Sequence, residues 1–427
     1  MRRPPLLGAA AALLAAATVA AQSPPPKSPA GEVADLVNAL LGGLLGGAEV
    51  TGEKLQEEVA EAGGVPFRRN VPVAFLGREE LAAYLREVFD EEYPKEQARA
   101  DERLLEALDL LPPGTDLRAL RARVLEENVA GFYDERKEKR RLYAVSEDRS
   151  FSPMNQIVLV HELRHALQDQ YADLDSHVAG DLSDFDDRRM AWVSLLEGDA
   201  TLVMERFVRL RLGGLGLPLP DAGGAEASAL GSPGLFDIPG APPVVRDQLV
   251  QPYLAGLDFA RAVWAHGGAP ALREAWARPP DSTEQILHPE KFFAREKPRV
   301  VVPSLPAPRG ARLLSEGVLG ELLIRTLVEE GAEGAAAGWG GDGWRLWEVG
   351  GRTALAWRSE WETPAEAAEF HAALRARFVR RGPTASQAGF EVFGGVSGRR
   401  LALRRTGDAV ELASADDPGL LAALIGG

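Results

Sequence analysis

Five consecutive residues carry the clearest chemistry in this chain: His161-Glu162-Leu163-Arg164-His165. On a helix, positions i and i+4 stack on one face, with Cβ atoms about 5–6 Å apart. Two imidazoles so placed can each turn a nitrogen toward one Zn²⁺ at about 2.0–2.1 Å. Glu162, beside the first histidine, then stands where a general base must stand to take a proton from water activated by the metal. The surrounding residues Ile157, Val158, Leu159, Val160, Leu163, Ala166 and Leu167 are apolar. Such a helix would bury two imidazoles and a carboxylate at a cost unless something binds them.

A catalytic zinc usually has three protein ligands and one open position. An extended motif with Gly at 168 and His at 171 would supply a third histidine, but these positions hold Gln168 and Tyr171. The next candidate is Glu197. It sits in a second helix, where Ala191, Trp192, Leu195, Leu196, Ala200, Val203 and Phe207 have helical apolar spacing interrupted by Glu197-Gly198-Asp199. Asp199, Asp173, Asp175 and His177 are rival third ligands. Asp199 is also a candidate to orient a ligand from behind, and Asp169, one turn after His165, is another.

The run HELRHALQDQ (161–170), followed by EGDAT (197–201), resembles exported bacterial zincin-like metallopeptidases of the gluzincin type. DSTEQILHPEKF (281–292) and GWGGDGWRLWE (338–348) extend the resemblance to roughly residues 125–375. It implies an α+β fold with a zincin-like catalytic domain. It also implies zinc on His161, His165 and Glu197, Glu162 as catalytic base, and a peptide or protein substrate. Two departures stand out: a 31-residue gap between His165 and Glu197, and Thr201 where thermolysin-like peptidases have Asp.

Peptide hydrolysis passes through an oxyanion, so a hydrogen-bond donor beyond the metal is expected. His288 is the first candidate, with Tyr133, Tyr171 and Tyr253 behind it. Zincin-like enzymes also hold extended peptide against a strand edge. Gly131-Phe132-Tyr133 and Leu142-Tyr143-Ala144-Val145 are the candidate edges.

The elements that must position these groups follow from periodicity. Strands are expected at 71–76, 129–133 and 141–145. Helices are expected at 78–90, 95–111, 152–171, 187–212, 244–266 and 281–287, with a third short helix capped by Asp116 and the 152–171 helix capped by Ser152. Residues 213–243, rich in Gly and Pro, read as a long loop. After Pro298 the texture changes to a smaller α+β module, with strands at 300–302, 344–349, 354–361, 389–393 and 400–404 and helices at 315–330 and 364–377. Five of the eight Trp lie between 339 and 361, and Leu355, Trp357, Ser359 and Trp361 share one strand face. Such a face fills a core or binds a partner. GWGGDG neither follows a strand nor opens a helix, so it is assigned no nucleotide.

At the N-terminus, Arg2 and Arg3 precede an apolar run from Leu6 to Ala21. As a helix the run spans about 24 Å, short of the roughly 30 Å hydrocarbon core. The expected organisation is a signal peptide (1–21), a linker (22–50), a catalytic domain (51–297) and a C-terminal module (298–427). The expected location is secreted or periplasmic, with membrane contact only if the N-terminal segment stays uncleaved. A net charge of −15 excludes a basic nucleic-acid footprint. The absence of Cys excludes disulfides and thiolate ligands, leaving six His and the carboxylates to hold any metal. The functional expectation is a zinc metallopeptidase. The alternative is a non-catalytic envelope protein of the same fold that binds a partner through its Trp-rich module.

Overall fold

The computed structural model describes residues 51–128, 131–145, 153–174, 185–214, 241–328, 330–380 and 385–426. The expected leader and linker, most of the 213–243 loop, Ser152, Asp175 and His177 lie outside these residues. No helix among the described residues is long and apolar enough to cross a membrane.

The first part is mainly helical. Helix α1 (Gly52–Gly63) is capped by Thr51, and Gly64 closes it at φ 62°. Strand β1 (Val73–Leu76) is followed by α2 (Arg78–Glu92), α3 (Lys95–Ala107) and α4 (Leu117–Asn128). Asp116 accepts the Ala119 N–H at 2.7 Å and so caps α4, as its position predicts. Strands β2 (Gly131–Asp134) and β3 (Arg141–Val145) form an antiparallel pair, and β1 joins β3 in parallel. The order is β1-β3-β2. β2 is therefore an edge strand, whereas β3 is central; with both its neighbours in place, β3 has no free edge for a peptide.

Two long helices pack beside this sheet: α5 (Pro153–Ala172) and α6 (Asp187–Gly214). Helix α7 (Pro243–Ala277) crosses α6 and breaks at Gly267 and Gly268, the latter at φ 62°. The expected helix over 244–266 is thus the first arm of a longer element. Helix α8 (Thr283–Leu287) is capped by Ser282, and α9 (Pro289–Ala294) follows with His288 at its N-cap.

The C-terminal part is a seven-stranded antiparallel sheet. Its strands are β4 (Arg312–Gly317), β5 (Trp339–Val349), β6 (Arg352–Trp361), β7 (Ala385–Gln387), β8 (Phe390–Gly394), β9 (Arg400–Thr406) and β10 (Ala409–Ala415), in the order β4-β5-β6-β10-β9-β8-β7. Helices α10 (Gly320–Ile324), α11 (Pro364–Val379) and α12 (Pro418–Ile425) complete the part. One sheet face, with Leu355 and Trp357, packs on α11 and on residues of α2 and α3 in one continuous core. The other, with Ala354 and Ala356, packs on α12.

Two expectations fail here. No helix spans 315–330: the first residues pair with β5, and Gly320 at φ 75° starts only a short helix. No strand forms at 300–302; that segment is extended and crosses β5, where a side chain at Gly341 or Gly343 would strike the Arg299 or Val301 carbonyl. Gly341 and Gly343 of GWGGDG thus give backbone clearance. The five Trp are interior, with exposures of 0–4%. They fill cores, and these five rings do not form an exposed face for a partner.

The start of α6 joins the two parts, the Asp187 N–H donating to the Val318 carbonyl at 3.0 Å, and a second buried aspartate organises the C-terminal part. Asp342 accepts the N–H groups of Leu319 and Gly320 at 2.9 Å and the indole N–H groups of Trp339 and Trp357 at 3.1 and 2.9 Å. Asp187, at the start of α6, accepts the Thr283 N–H at 2.8 Å. Asp342→Ala strands four donors, at about 1–3 kcal/mol each. A loss of more than about 3 kcal/mol in urea unfolding is expected, and a loss below 1 kcal/mol would mean that water replaces the carboxylate.

Burial drives the Asp187 carboxyl up to about 8. Its unfolded value is about 3.9, so the folded chain keeps a proton that the unfolded chain has released. That stabilisation is complete below about pH 4 and is lost as pH rises toward 8. Asp187→Asn, which still offers Thr283 an oxygen, should flatten this part of the stability-versus-pH curve. Parallel curves for the two proteins would show that Asp187 titrates normally.

Candidate metal centre

Helix α5 lies against β2 and β3 with its Ile157–Leu167 face buried, which places His161 and His165 on the side toward α6. Helix α6 buries Ala191, Leu195, Leu196, Ala200 and Val203 and turns Glu197 back toward the histidines. Close approach of the next helix fixes this position. A methyl group added at Gly198 would fall on the Gly256 carbonyl of α7, and one added at Gly256 would fall on the Ser194 carbonyl.

The three side chains converge. His161 Nε2 lies 3.0 Å from Glu197 Oε2, His165 Nε2 lies 3.4 Å from the same oxygen, and the two Nε2 atoms are 3.1 Å apart. Ligands about 2.0–2.1 Å from a tetrahedral centre stand about 3.3–3.4 Å from one another, so this triangle is close to one face of a zinc tetrahedron. Two ring nitrogens and a carboxylate oxygen are all electron-rich, and they stay together only around a proton or a cation. Glu162 sits beside them. Its Oε2 accepts the Tyr133 N–H of β2 at 2.9 Å. Its Oε1, like Glu197 Oε1 and His161 Nδ1, is buried without a hydrogen-bond partner among the described residues. All four side chains are interior, at 0–2% exposure.

The protonation pattern follows from burial and from the neighbours. Burial lowers the His161 imidazole and keeps it neutral. Burial also opposes charge on His165, but the Glu197 carboxylate, with help from Glu162 and Gln168, outweighs it and raises this imidazole to about 9. The two histidines share one carboxylate, and only one of them carries the charge. Burial raises Glu197 too, yet both histidines outweigh it and hold it down at about 2. Burial pushes Glu162 up to about 8.

The other sequence candidates are placed differently. His288 is engaged by Glu321, whose carboxylate lies 2.9 Å from its Nε2 and also binds Arg325. It is not among the converging residues. Asp199 binds Arg164 and Gln168, and Asp173 binds Arg140 and Lys137, so neither turns toward the histidines. Asp169 holds no imidazole; it accepts the Tyr133 hydroxyl at 2.9 Å and the Leu174 N–H at 3.0 Å. Tyr171 donates to the Pro66 carbonyl, and Tyr253 stacks near the His161 ring at 6.1 Å. Thr201, the departure from the thermolysin-like pattern, donates back to the Glu197 carbonyl at 2.8 Å.

Sequence reasoning missed the parts that act through the backbone or through contact. These are the Tyr133 N–H and the Gly198–Gly256 crossing; Tyr253 was among the expected donors, and its ring lies near His161. The Gly beside Glu197 was the only visible signal. A second acidic group, Glu284, Glu296 and Glu362, already has its cation: Lys291 Nζ lies 2.7 Å from Glu284 and 3.3 Å from Glu296, and also binds Glu362.

Comparison with known proteins adds little at this site. Residues 311–424, the C-terminal sheet with α11 and α12, match the family model DUF8575, a domain of unknown function. No curated protein matches the chain. A solved structure from Chloroflexus aurantiacus, described as a "putative hydrolase with a novel fold", is similar at 16% identity and a TM-score of 0.35. The match covers 67% of this chain and 97% of that one. A likeness of that size says nothing about activity.

Gly198→Ala tests the crossing that places Glu197. Overpacking there is expected to cost about 1–3 kcal/mol in urea unfolding and to weaken metal uptake. Unchanged stability and uptake would show that the helices tolerate separation at this point.

Proposed function

We propose that this chain is an exported zinc-dependent metallopeptidase. The observation that supports this reading is the convergence of His161 Nε2, His165 Nε2 and Glu197 Oε2 at 3.0–3.4 Å, with Glu162 beside them. The donor set of two imidazoles and one carboxylate suits zinc. His161, His165 and Glu197 would hold it. When bound, zinc supplies Lewis acidity toward a carbonyl and toward water.

The chain's own residues account for the rest. The Tyr133 N–H fixes one Glu162 oxygen and leaves Oε1 to take a proton from water and pass it on. Strand β2, at the sheet edge and tied to Glu162, is where an extended peptide would lie. The substrate class is peptide or protein. The Arg2-Arg3 start and the apolar run to Ala21 support a secreted or periplasmic location.

One observation favours a second reading, in which the same residues hold a structural ion. All four side chains are closed off from solvent in this conformation. Metal content and activity separate the two. About one zinc per chain by elemental analysis is expected, lost in His161→Ala and Glu197→Ala. Glu162→Gln should keep the zinc and lose at least about 100-fold in hydrolysis of denatured casein. Zinc retained with no hydrolysis by the parent protein would favour the structural ion. No zinc after reconstitution would remove both readings.

A further inference from the structure

Arg164 lies inside α5 with 0% exposure, among apolar neighbours. A buried guanidinium requires a partner, and its Nε and Nη2 donate to the two Asp199 oxygens at 2.9 and 3.0 Å. Its guanidinium carbon also stands 4.7 Å over the Trp276 ring, and the absence of a side chain at Gly63 makes room for it. Asp199 is therefore held as an acceptor at both oxygens. Its Oδ2 is also 2.8 Å from Gln168 Nε2, and the Leu196 carbonyl lies 3.0 Å from the same nitrogen.

Two acceptors around one end of an amide decide its orientation. That end must be the NH₂ group, because an oxygen there would face two oxygens. The Gln168 carbonyl then points the other way, 2.8 Å from His165 Nδ1. An oxygen at Nδ1 requires hydrogen on Nδ1. The Nε2 lone pair of His165 is left facing His161 and Glu197.

We infer that Arg164, Asp199 and Gln168 form a directional relay that fixes the tautomer of His165 and thereby selects Nε2 as its ligand atom. Arg164 fixes Asp199 as acceptor, Asp199 fixes the amide, and the amide fixes the proton. None of the three touches the converging atoms, so all three are positioning residues. Gln168 also keeps the full negative charge of Asp199 one amide away from the imidazole. The inference rests on the reading of His161, His165 and Glu197 as a metal site, but the tautomer itself is a property of the metal-free chain.

Asp199→Asn is the test, since it keeps shape while letting either end of residue 199 face Gln168. Two readouts are needed. Long-range ¹H–¹⁵N correlation spectra of the metal-free protein, followed to the alkaline end of its stable range, report the tautomer of neutral His165. Zinc affinity by chelator competition reports the consequence. The parent protein should show His165 with hydrogen on Nδ1 alone. The variant should show a mixture, with zinc affinity lower by about 10–100-fold. A parent His165 with hydrogen on Nε2, or a variant with an unchanged single tautomer, would overturn the relay. A parent that takes no zinc yet shows the Nδ1 tautomer would leave the relay standing and remove the metal site.

Discussion

The interior of this protein holds three electron-rich atoms in mutual contact, and most of what surrounds them answers to that constraint. His161 and His165 face Glu197 at 0–2% exposure, where water cannot screen them. Helices α5 and α6 could lower this cost by moving apart, but the Gly198–Gly256 crossing clamps α6 against α7 and the α5 face is pinned on the sheet. The arrangement is therefore preorganised for a positive charge. A shared proton answers the demand in part: His165 carries it, while burial keeps His161 neutral. A divalent ion would answer it for all three atoms at once.

The parts far from the centre serve the same placement. The three-stranded sheet contributes one N–H, from Tyr133, that orients Glu162. Tyr133 itself is anchored by Asp169, so the side chain that looked like a partner for an imidazole instead steadies the strand that steadies the base. At the other end, Asp187 ties the start of α6 to Thr283, and Thr283 Oγ1 accepts the Leu322 N–H. Asp342 gathers the Leu319 and Gly320 N–H groups into the Trp core. Through this junction the helix that carries Glu197 begins on the C-terminal sheet. The Trp cluster is thus part of the scaffold.

The converging residues were legible because their spacing is a local property. Two histidines four apart on an apolar helix have one geometry, and Glu197 breaks an apolar pattern that has no other reason to break. The long helices were legible for the same reason. The relay was not, because it depends on which side of Gln168 meets Asp199, and no spacing rule sets that across two helices. The 315–330 region failed through context. Its residues favour a helix locally, but pairing with β5 and the demands of Asp187 and Asp342 on Gly320 override that preference. The run Val300–Val302 is apolar and β-branched, which suits a strand, but it crosses β5 without pairing as one.

Closure of the centre bears on the choice between a catalytic and a structural ion, and Glu162 weighs against the structural one. A structural zinc is normally enclosed by four protein ligands. Among the described residues only three donors converge here. Glu162 is held close by its own bond to Tyr133 but contributes no ligand atom to the triangle, and its Oε1 is buried without a partner. Burying an unpaired carboxylate oxygen is costly. The Tyr133 N–H accounts for one Glu162 oxygen, and a purely structural site would account for nothing at the other. A fourth position occupied by water or substrate would give Oε1 the partner it lacks. On its remaining side the centre is covered by α7, whose Tyr253 ring lies 6.1 Å from that of His161 and which breaks at Gly267–Gly268.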